Sequence, residues 1–310
     1  MKTYSDIVGD GGSNVFEQVL DQRRAIAEGL AGVDRLVAVG SGKGGVGKST
    51  LTMALAQSLV ARGASVAILD ADFNGPTQAH MAGLTGAPWV PDAAGRLAVP
   101  RRADGLGVVS VGSLLTAGEE LSFSTVSSGD QHTWRATREF AMLAQLLTAV
   151  DWGRLDYLLF DLPPGAERTL QYAEFLAAAL GAGRAAFLMV TIPSDLARGV
   201  VARSLTALAG GGAPAVGYVE NMAGYLCRDC GEVKPLFPAS ATVLDAPCLG
   251  RVPFDPELAA LCDRGWPERG QGLAAVEAVD ALAAALESAV PITSEAPTSD
   301  TESPAVETPS

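Results

Sequence analysis

The stretch Gly42-Lys43-Gly44-Gly45-Val46-Gly47-Lys48-Ser49-Thr50 decides the fold of this chain of 310 residues. An apolar run at residues 36–39 precedes it, and a segment of helical character, residues 49–61, follows it. Strand, glycine-rich loop and helix in this order are the context in which the pattern G-x-x-x-x-G-K-[ST] holds phosphate groups. Backbone N–H groups of such a loop point at phosphate oxygens, and the positive end of the helix dipole lies behind them. The sequence therefore predicts a phosphate-binding loop, or P-loop.

We expect this loop to bind ATP and to give its side chains different roles. Lys48 would bridge the β- and γ-phosphates, the Ser49 hydroxyl would ligate Mg²⁺, and Thr50 would support the α-phosphate. Lys48 is therefore a predicted catalytic residue, and Ser49 is a predicted metal ligand. The residues of the loop that we expect to contact the nucleotide are Gly42, Gly44, Gly45, Val46, Gly47, Lys48, Ser49 and Thr50.

Short apolar runs alternate with helical segments from residue 35 onward. The runs that we predict as strands lie at residues 36–39, 66–69, 108–111, 157–160, 186–190 and 216–219, with a further candidate at 249–252. This alternation predicts an α/β fold, in which a doubly wound, mostly parallel sheet carries helices on both faces. We expect this P-loop domain to span residues 31–290, between a helical N-terminal extension (residues 1–30) and a disordered acidic tail (residues 291–310).

Three carboxylates follow predicted strands at the edge of the sheet where ligands bind. Asp70 and Asp72 come just after the second strand, and Asp161 directly follows the apolar run at residues 157–160. Phosphoryl transfer needs a magnesium ion and a group that orients the attacking water. We assign Asp161 to the metal shell, Asp72 to the water as a catalytic residue, and Asp70 to the support of the metal region. An ordinary polar strand end is the alternative for each.

Composition and charge exclude several classes of function. The net charge of −13 disfavours a nucleic-acid partner, which usually needs a basic face. No apolar run reaches the roughly 18 residues of a membrane-spanning helix, so we expect no membrane partner. Residues 1–6 have no apolar segment of the kind found in secretory signals, and we expect a cytoplasmic protein. Structural disulfides are rare in that compartment, and we expect the isolated cysteines Cys248 and Cys262 to be small core residues.

Four ordered motifs resemble the Mrp/ApbC iron–sulfur carrier ATPases, whose relatives include the MinD/ParA group and nitrogenase iron protein. Besides the P-loop, the motifs are Asp70-Ala71-Asp72-Phe73-Asn74-Gly75-Pro76, Asp161-Leu162-Pro163-Pro164-Gly165, Val219-Glu220-Asn221-Met222 and Cys227-x-x-Cys230. The resemblance covers about residues 31–270. It implies the fold of the MinD and nitrogenase iron protein type, and a homodimer that hydrolyses ATP and delivers a [4Fe–4S] cluster to apo iron–sulfur client proteins.

The resemblance also gives roles to single residues. In loops of the form K-G-G-x-G-K-[ST], the lysine at the position of Lys43 contacts the nucleotide of the facing subunit, so Lys43 is a predicted catalytic residue. The asparagine at the position of Asn221 contacts the adenine base. Iron–sulfur clusters are usually held by four thiolates, so Cys227 and Cys230 would bridge the cluster with their counterparts in a second chain. A zinc site shared between subunits and a redox dithiol are the alternatives at this pair.

Two segments depart from the family pattern. After the Pro-Pro-Gly run the family has T-G-D, whereas this chain has Ala166-Glu167-Arg168, and Asn74 stands where an aromatic residue is usual. We expect these departures to affect switch behaviour and client choice rather than nucleotide binding. They also leave room for a maturation ATPase dedicated to one metalloenzyme. A spatial-organisation ATPase of the ParA or MinD kind is the other alternative, although the acidic closing segment at residues 273–290 disfavours membrane binding.

Overall fold

The computed structural model describes residues 15–114, 131–227, 229–266 and 273–292. Its helices are α1 (Val15–Gly29), α2 (Lys48–Ala61), α3 (Gln78–Met81), α4 (Gln131–Ala149), α5 (Ala166–Leu180), α6 (Asp195–Gly210), α7 (Pro256–Asp263) and α8 (Ala274–Ala289). Its strands are β1 (Val33–Ser41), β2 (Val66–Asp70), β3 (Leu97–Ala98), β4 (Gly107–Val109), β5 (Val150–Asp151), β6 (Leu155–Asp161), β7 (Ala185–Thr191), β8 (Ala215–Leu226), β9 (Val233–Lys234) and β10 (Cys248–Phe254).

The central sheet is parallel along its whole length. Its strand order is β10-β8-β7-β1-β6-β2-β4, and each neighbouring pair in this order runs in the same direction. The short strand β9 adds to the end of β8 in the antiparallel sense, and β3 and β5 form a separate pair. The prediction of a doubly wound, mostly parallel α/β sheet is therefore confirmed.

Helices cover both faces of this sheet. Side chains of β1 alternate between two apolar cores, because Ala38 belongs to one core while Val37 and Val39 belong to the other. Helices α1, α4, α5 and α6 contribute to the first core, and α2, α3, α7 and α8 contribute to the second. A parallel sheet buried in this way explains why its strands are continuously apolar rather than alternating.

Some details differ from the sequence-based expectation. The strand predicted at 108–111 ends at Val109, and a 3₁₀ turn follows at Val111–Leu114. The prediction that Cys248 is a core residue was wrong, because it is exposed at the first position of the edge strand β10. Cys262 on α7 is partly buried. Among the helices that the structure describes, none combines the length and apolar character needed to cross a bilayer.

The order of the strands brings the predicted site residues together. β1 lies between β6 and β7, and β6 is paired with β2. The P-loop follows β1, Asp70 ends β2 and Asp161 ends β6, so all three lie at the carboxyl edge of neighbouring parallel strands. This edge is where an open α/β sheet binds its ligand.

Candidate functional site

The P-loop forms one wall of an open pocket at the carboxyl edge of the sheet. The lining residues are Ser41, Lys43, Gly44, Gly45, Val46, Gly47, Lys48, Ser49, Thr50, Asp72 and Pro164. Gly47 has a φ of 80°, and a Cβ atom there would collide with the side-chain nitrogen of Asn221. Only glycine satisfies both the left-handed conformation and this close approach. The loop therefore has the backbone that phosphate binding requires.

A buried carboxylate lies behind the loop. Asp161 is fully buried and forms an ion pair with Lys48, which is 6% exposed. The same carboxylate accepts hydrogen bonds from Gln78 Nε2 at 2.8 Å and from Thr52 Oγ1 at 3.4 Å. Lys48 Nζ is also 3.3 Å from Ser49 Oγ, so the predicted phosphate ligand and the two predicted magnesium ligands form one cluster.

Asp70 has a different environment from its neighbour in sequence. Its carboxylate is fully buried and accepts hydrogen bonds from the backbone N–H groups of Thr77 and Gln78, both at 3.0 Å, and from Ser110 Oγ at 2.9 Å. Burial and the nearby charge of Asp161 raise the pKa of Asp70 to about 7. Asp70 therefore holds the two ends of the loop at residues 70–78 together, and it does not line the pocket.

Asp72 does line the pocket, together with Lys43 and the rest of the P-loop. Burial raises its pKa, while the charge of Lys48 acts in the opposite direction. Its backbone N–H donates to Asp70 Oδ1 at 3.3 Å, and its carbonyl accepts from the N–H of Gly75 at 3.1 Å. The position allows Asp72 to act on a water molecule beside a bound phosphate, and this role stays a prediction.

A second, more apolar pocket adjoins the P-loop. It is lined by Gly47, Thr50, Asn221, Met222, Pro253, Phe254, Asp255, Leu258 and Ala259. Asn221 Nδ2 donates to the carbonyl oxygen of Val46 at 2.8 Å, which ties β8 to the P-loop. Met222 has a φ of 53° and is the one non-glycine residue with a positive φ among those described. An apolar pocket with an amide at its edge suits a base, and the contact of Asn221 with adenine stays a prediction.

The cysteine pair lies on a hairpin formed by β8 and β9. Cys227 follows the last residue of β8, where its N–H donates to Glu232 O at 2.9 Å and its carbonyl accepts from Gly231 N at 2.8 Å. Cys227 is 9% exposed and Cys230 is exposed. Backbone N–H groups of Cys230 and Asp229 lower the pKa of the Cys227 thiol. This favours the thiolate, which is the form that binds metals.

The hairpin offers two candidate metal ligands from one chain. Nowhere in the described ranges do three or more His, Cys, Asp or Glu side chains lie close enough to hold a metal ion. Cys227 and Cys230 therefore provide two thiols and no third protein ligand. The two lie at the same edge of the sheet as the P-loop, because β8 runs parallel to β1.

Sequence reasoning missed residues that the fold brings to the site from a distance. Gln78 on α3 donates to Asp161 and, at 3.0 Å, to the backbone carbonyl of Ser49. Glu139 on α4 accepts a hydrogen bond from Asn74 and forms an ion pair with Arg168 on α5. Neither Gln78 nor Glu139 belongs to a motif that would have pointed to these contacts.

Comparison with known proteins identifies close relatives. The protein is 36% identical over 244 residues to a protein of Yarrowia lipolytica named cytosolic Fe-S cluster assembly factor CFD1, covering 76% of this chain and 79% of the relative. It is 38% identical over 260 residues to the factor of the same name from Aspergillus terreus, covering 78% of this chain and 83% of the relative.

Solved structures give the same picture. A nucleotide-binding protein from Archaeoglobus fulgidus in complex with ADP is 31% identical, with a TM-score of 0.64, and the match covers 79% of this chain and 92% of that one. MinD from Pyrococcus horikoshii, at 19% identity and a TM-score of 0.53, covers 82% of this chain and 96% of its own, and shows the shared fold. The model of one family, described as the NUBPL iron-transfer P-loop NTPase, matches residues 32–287. This chain belongs to that family of P-loop NTPases.

Proposed function

We propose that this protein is an ATP-hydrolysing carrier that holds a [4Fe–4S] cluster between two copies of the chain and transfers it to apo iron–sulfur proteins. The observation that carries this proposal is the hairpin of Cys227 and Cys230, which directly follows β8, the strand whose Asn221 also borders the nucleotide pocket. The relatives named cytosolic Fe-S cluster assembly factors support both the cargo and a cytosolic location.

The nucleotide site supports ATP hydrolysis with magnesium. Ser49 and Asp161 would hold Mg²⁺, since oxygen ligands of this kind suit it and both lie beside Lys48. The ion would neutralise charge on the β- and γ-phosphates, which the backbone N–H groups of the P-loop and Lys48 also bind. Asp72, which also lines the pocket, would orient the attacking water.

Lys43 supports a dimer that closes on the nucleotide. It lines the pocket, and the hydrogen bond from Ser41 Oγ to its carbonyl oxygen, at 3.0 Å, fixes its backbone. In our proposal its ammonium group contacts the nucleotide of the facing subunit. We expect slow turnover whenever the dimer is open, because the Lys43 ammonium group of the facing subunit then does not reach the nucleotide.

The cysteine hairpin supports a cluster shared by two chains. Four thiolates are the usual ligand set of a [4Fe–4S] cluster, and one hairpin supplies two. Since the hairpin and the P-loop lie at the same edge of the sheet, one two-fold axis could bring both Lys43 to the partner's nucleotide and the two hairpins together. Two independent features thus favour the same dimer.

Anaerobic reconstitution with iron and sulfide tests this proposal. We expect about four irons and four sulfides per dimer, with a broad visible absorption band. The variant Cys227→Ala/Cys230→Ala should lose both the metal and the band, while ATP binding is unchanged. Cys248→Ala is the matched control, because Cys248 is also an exposed cysteine but lies outside the hairpin.

Other outcomes would contradict the cluster. Zinc as the sole metal, bound by the protein with its cysteines intact and absent from the double variant, would make the hairpin a zinc site. Equal iron content in the double variant and the Cys248→Ala control would show that the hairpin does not hold the cargo. Sedimentation of the loaded protein as a monomer would exclude a bridging cluster.

A further inference from the structure

The two departures from the family pattern meet at one buried carboxylate. Asn74 Nδ2 donates to Glu139 Oε1 at 2.7 Å, and Arg168 forms an ion pair with the same Glu139. Glu139 is 7% exposed and lies on α4, far along the chain from both partners. Asn74 and Arg168, which stand where the family pattern has other residues, are therefore joined through Glu139, although nothing in the sequence relates them.

Arg168 is itself held in place on α5. Its guanidinium lies 5.7 Å from the ring centroid of Phe140 and 5.8 Å from that of Tyr172, and it donates to Gln171 Oε1 at 2.9 Å. Cations over aromatic rings are stabilised by the ring electrons, and charge-assisted hydrogen bonds are stronger than neutral ones. The ion pair with Glu139 thus joins two ordered side chains.

A second contact ties the same loop to the same helix. The hydroxyl of Tyr172 on α5 donates to the backbone carbonyl of Ala71 at 3.0 Å. Ala71 and Asn74 flank Asp72, so the loop is anchored to α5 on both sides of that carboxylate: directly through Tyr172 and through Glu139 to Arg168. Helix α5 begins at Ala166, immediately after the Pro163-Pro164-Gly165 turn beside the nucleotide pocket.

We propose that Glu139 and Arg168 are positioning residues that hold Asp72 in place for ATP hydrolysis and connect it to the start of α5. The inference rests on the proposed function, in which Asp72 orients the attacking water. Neither Glu139 nor Arg168 lines the nucleotide pocket, so they act through the loop and not on the nucleotide.

The kinetic consequence is a loss in kcat with little change in KM. Displacement of a group that orients the nucleophile by about 1 Å can cost on the order of 10²-fold in rate. We expect Glu139→Gln, which keeps the size of the side chain but removes its charge, to lower kcat about 10-fold or more. We expect the affinity for ATP to change less than about twofold, since the P-loop is untouched.

Conservative replacement and a matched control separate positioning from stability. Arg168→Lys keeps the charge but loses the planar contacts with two partners, so it should retain more activity than Arg168→Ala. Glu287→Gln is the control, because it breaks an ion pair with Arg62 between α2 and α8, away from the pocket. It should leave kcat unchanged, and thermal unfolding of all variants shows whether each has folded.

A double variant tests whether the effect passes through Asp72. On an Asp72→Asn background, adding Glu139→Gln should cause no further loss in the single-turnover rate of hydrolysis, because there is no carboxylate left to position. If the double variant instead loses rate by the product of the two separate effects, the inference is overturned. Wild-type kcat in both Glu139→Gln and Arg168→Lys, together with an inactive Asp72→Asn, would also overturn the inference. That result would leave the ATPase proposal standing. Full activity of Asp72→Asn would instead overturn the role of Asp72 in the proposed function, and the positioning role with it.

Discussion

In the order of the strands, the nucleotide pocket lies at the central strand β1, whereas the cysteine hairpin follows β8, next to the edge strand β10. Around the pocket, the polar side chains Lys48, Asp70 and Asp161 are buried and each has several partners within the same chain. The hairpin carries two thiols, of which one is exposed, and its second strand, β9, is only 2 residues long. The nucleotide pocket is almost complete in a single chain, whereas the hairpin would supply two of the four thiolates of the cluster that we propose.

The pKa values of Asp70, behind the pocket, and of Cys227, in the hairpin, are shifted in opposite directions. Burial beside Asp161 raises the pKa of Asp70 to about 7, which favours the neutral acid. Backbone N–H groups lower the pKa of the Cys227 thiol, which favours the charged thiolate. The buried surroundings of Asp70 thus disfavour a second negative charge beside Asp161, while the hairpin stabilises the charged form of Cys227.

The largest effect that we expect comes from Lys43, which in our proposal reaches the nucleotide of the facing subunit. Lys43→Ala should lower kcat about 10³-fold or more, because a cation supplied across an interface stabilises the charge of the transition state. Binding of ADP should be retained, since the P-loop and Lys48 are intact. Steady-state hydrolysis and binding of a fluorescent nucleotide measure the two properties separately.

Mixed dimers make this test sharper. A Lys43→Ala chain keeps its own P-loop, and a Lys48→Ala partner keeps the Lys43 that would complete that site. Equal mixing of the two inactive variants should therefore recover about one quarter of wild-type activity, from one working site in half of the dimers. If the mixture stays inactive although both variants fold and dimerise, Lys43 does not act across the interface.

A tenfold effect is expected at the pocket beside the P-loop. Asn221→Ala should weaken ATP binding about 10-fold, since a hydrogen bond to the base is lost and a buried partner is left unsatisfied. Iron content after reconstitution should not change. Because Asn221 also donates to Val46 O, GTP and inorganic triphosphate are the controls. Equal losses for all three ligands would show that Asn221 only braces the P-loop.

The smallest effect concerns the hairpin. Because the pKa of Cys227 is lowered from its ordinary value of 9.0, its thiolate should persist to a lower pH than that of an unperturbed thiol. Alkylation of Cys227, followed by mass spectrometry across a pH series, should therefore have a midpoint below that value. Cys230→Ala should move the midpoint up, as the Cys230 side chain also contributes to the shift. A midpoint above 9.0 in the intact hairpin would contradict the prediction.

The sequence predicted the parts of the molecule that are encoded locally. The P-loop, the apolar strands before Asp70 and Asp161, and helix α1 are each visible within a short window, because periodicity and glycine placement specify them. Gln78 and Glu139 were missed because their roles depend on contacts between distant elements. Cys248 was placed in the core from its apolar neighbours, but it begins the edge strand β10, which has a neighbouring strand on one side only, and it is exposed there.

Strand β8 carries Asn221 at the P-loop and, a short way further on, Cys227 at the start of the hairpin, with the left-handed Met222 between them. A strained residue of this kind persists only where its surroundings fix it. If nucleotide binding changes the affinity of the hairpin for its cargo through this strand, thermodynamic linkage requires the cargo to change nucleotide affinity by the same factor. A loaded and an empty carrier would then differ in the nucleotide that they prefer.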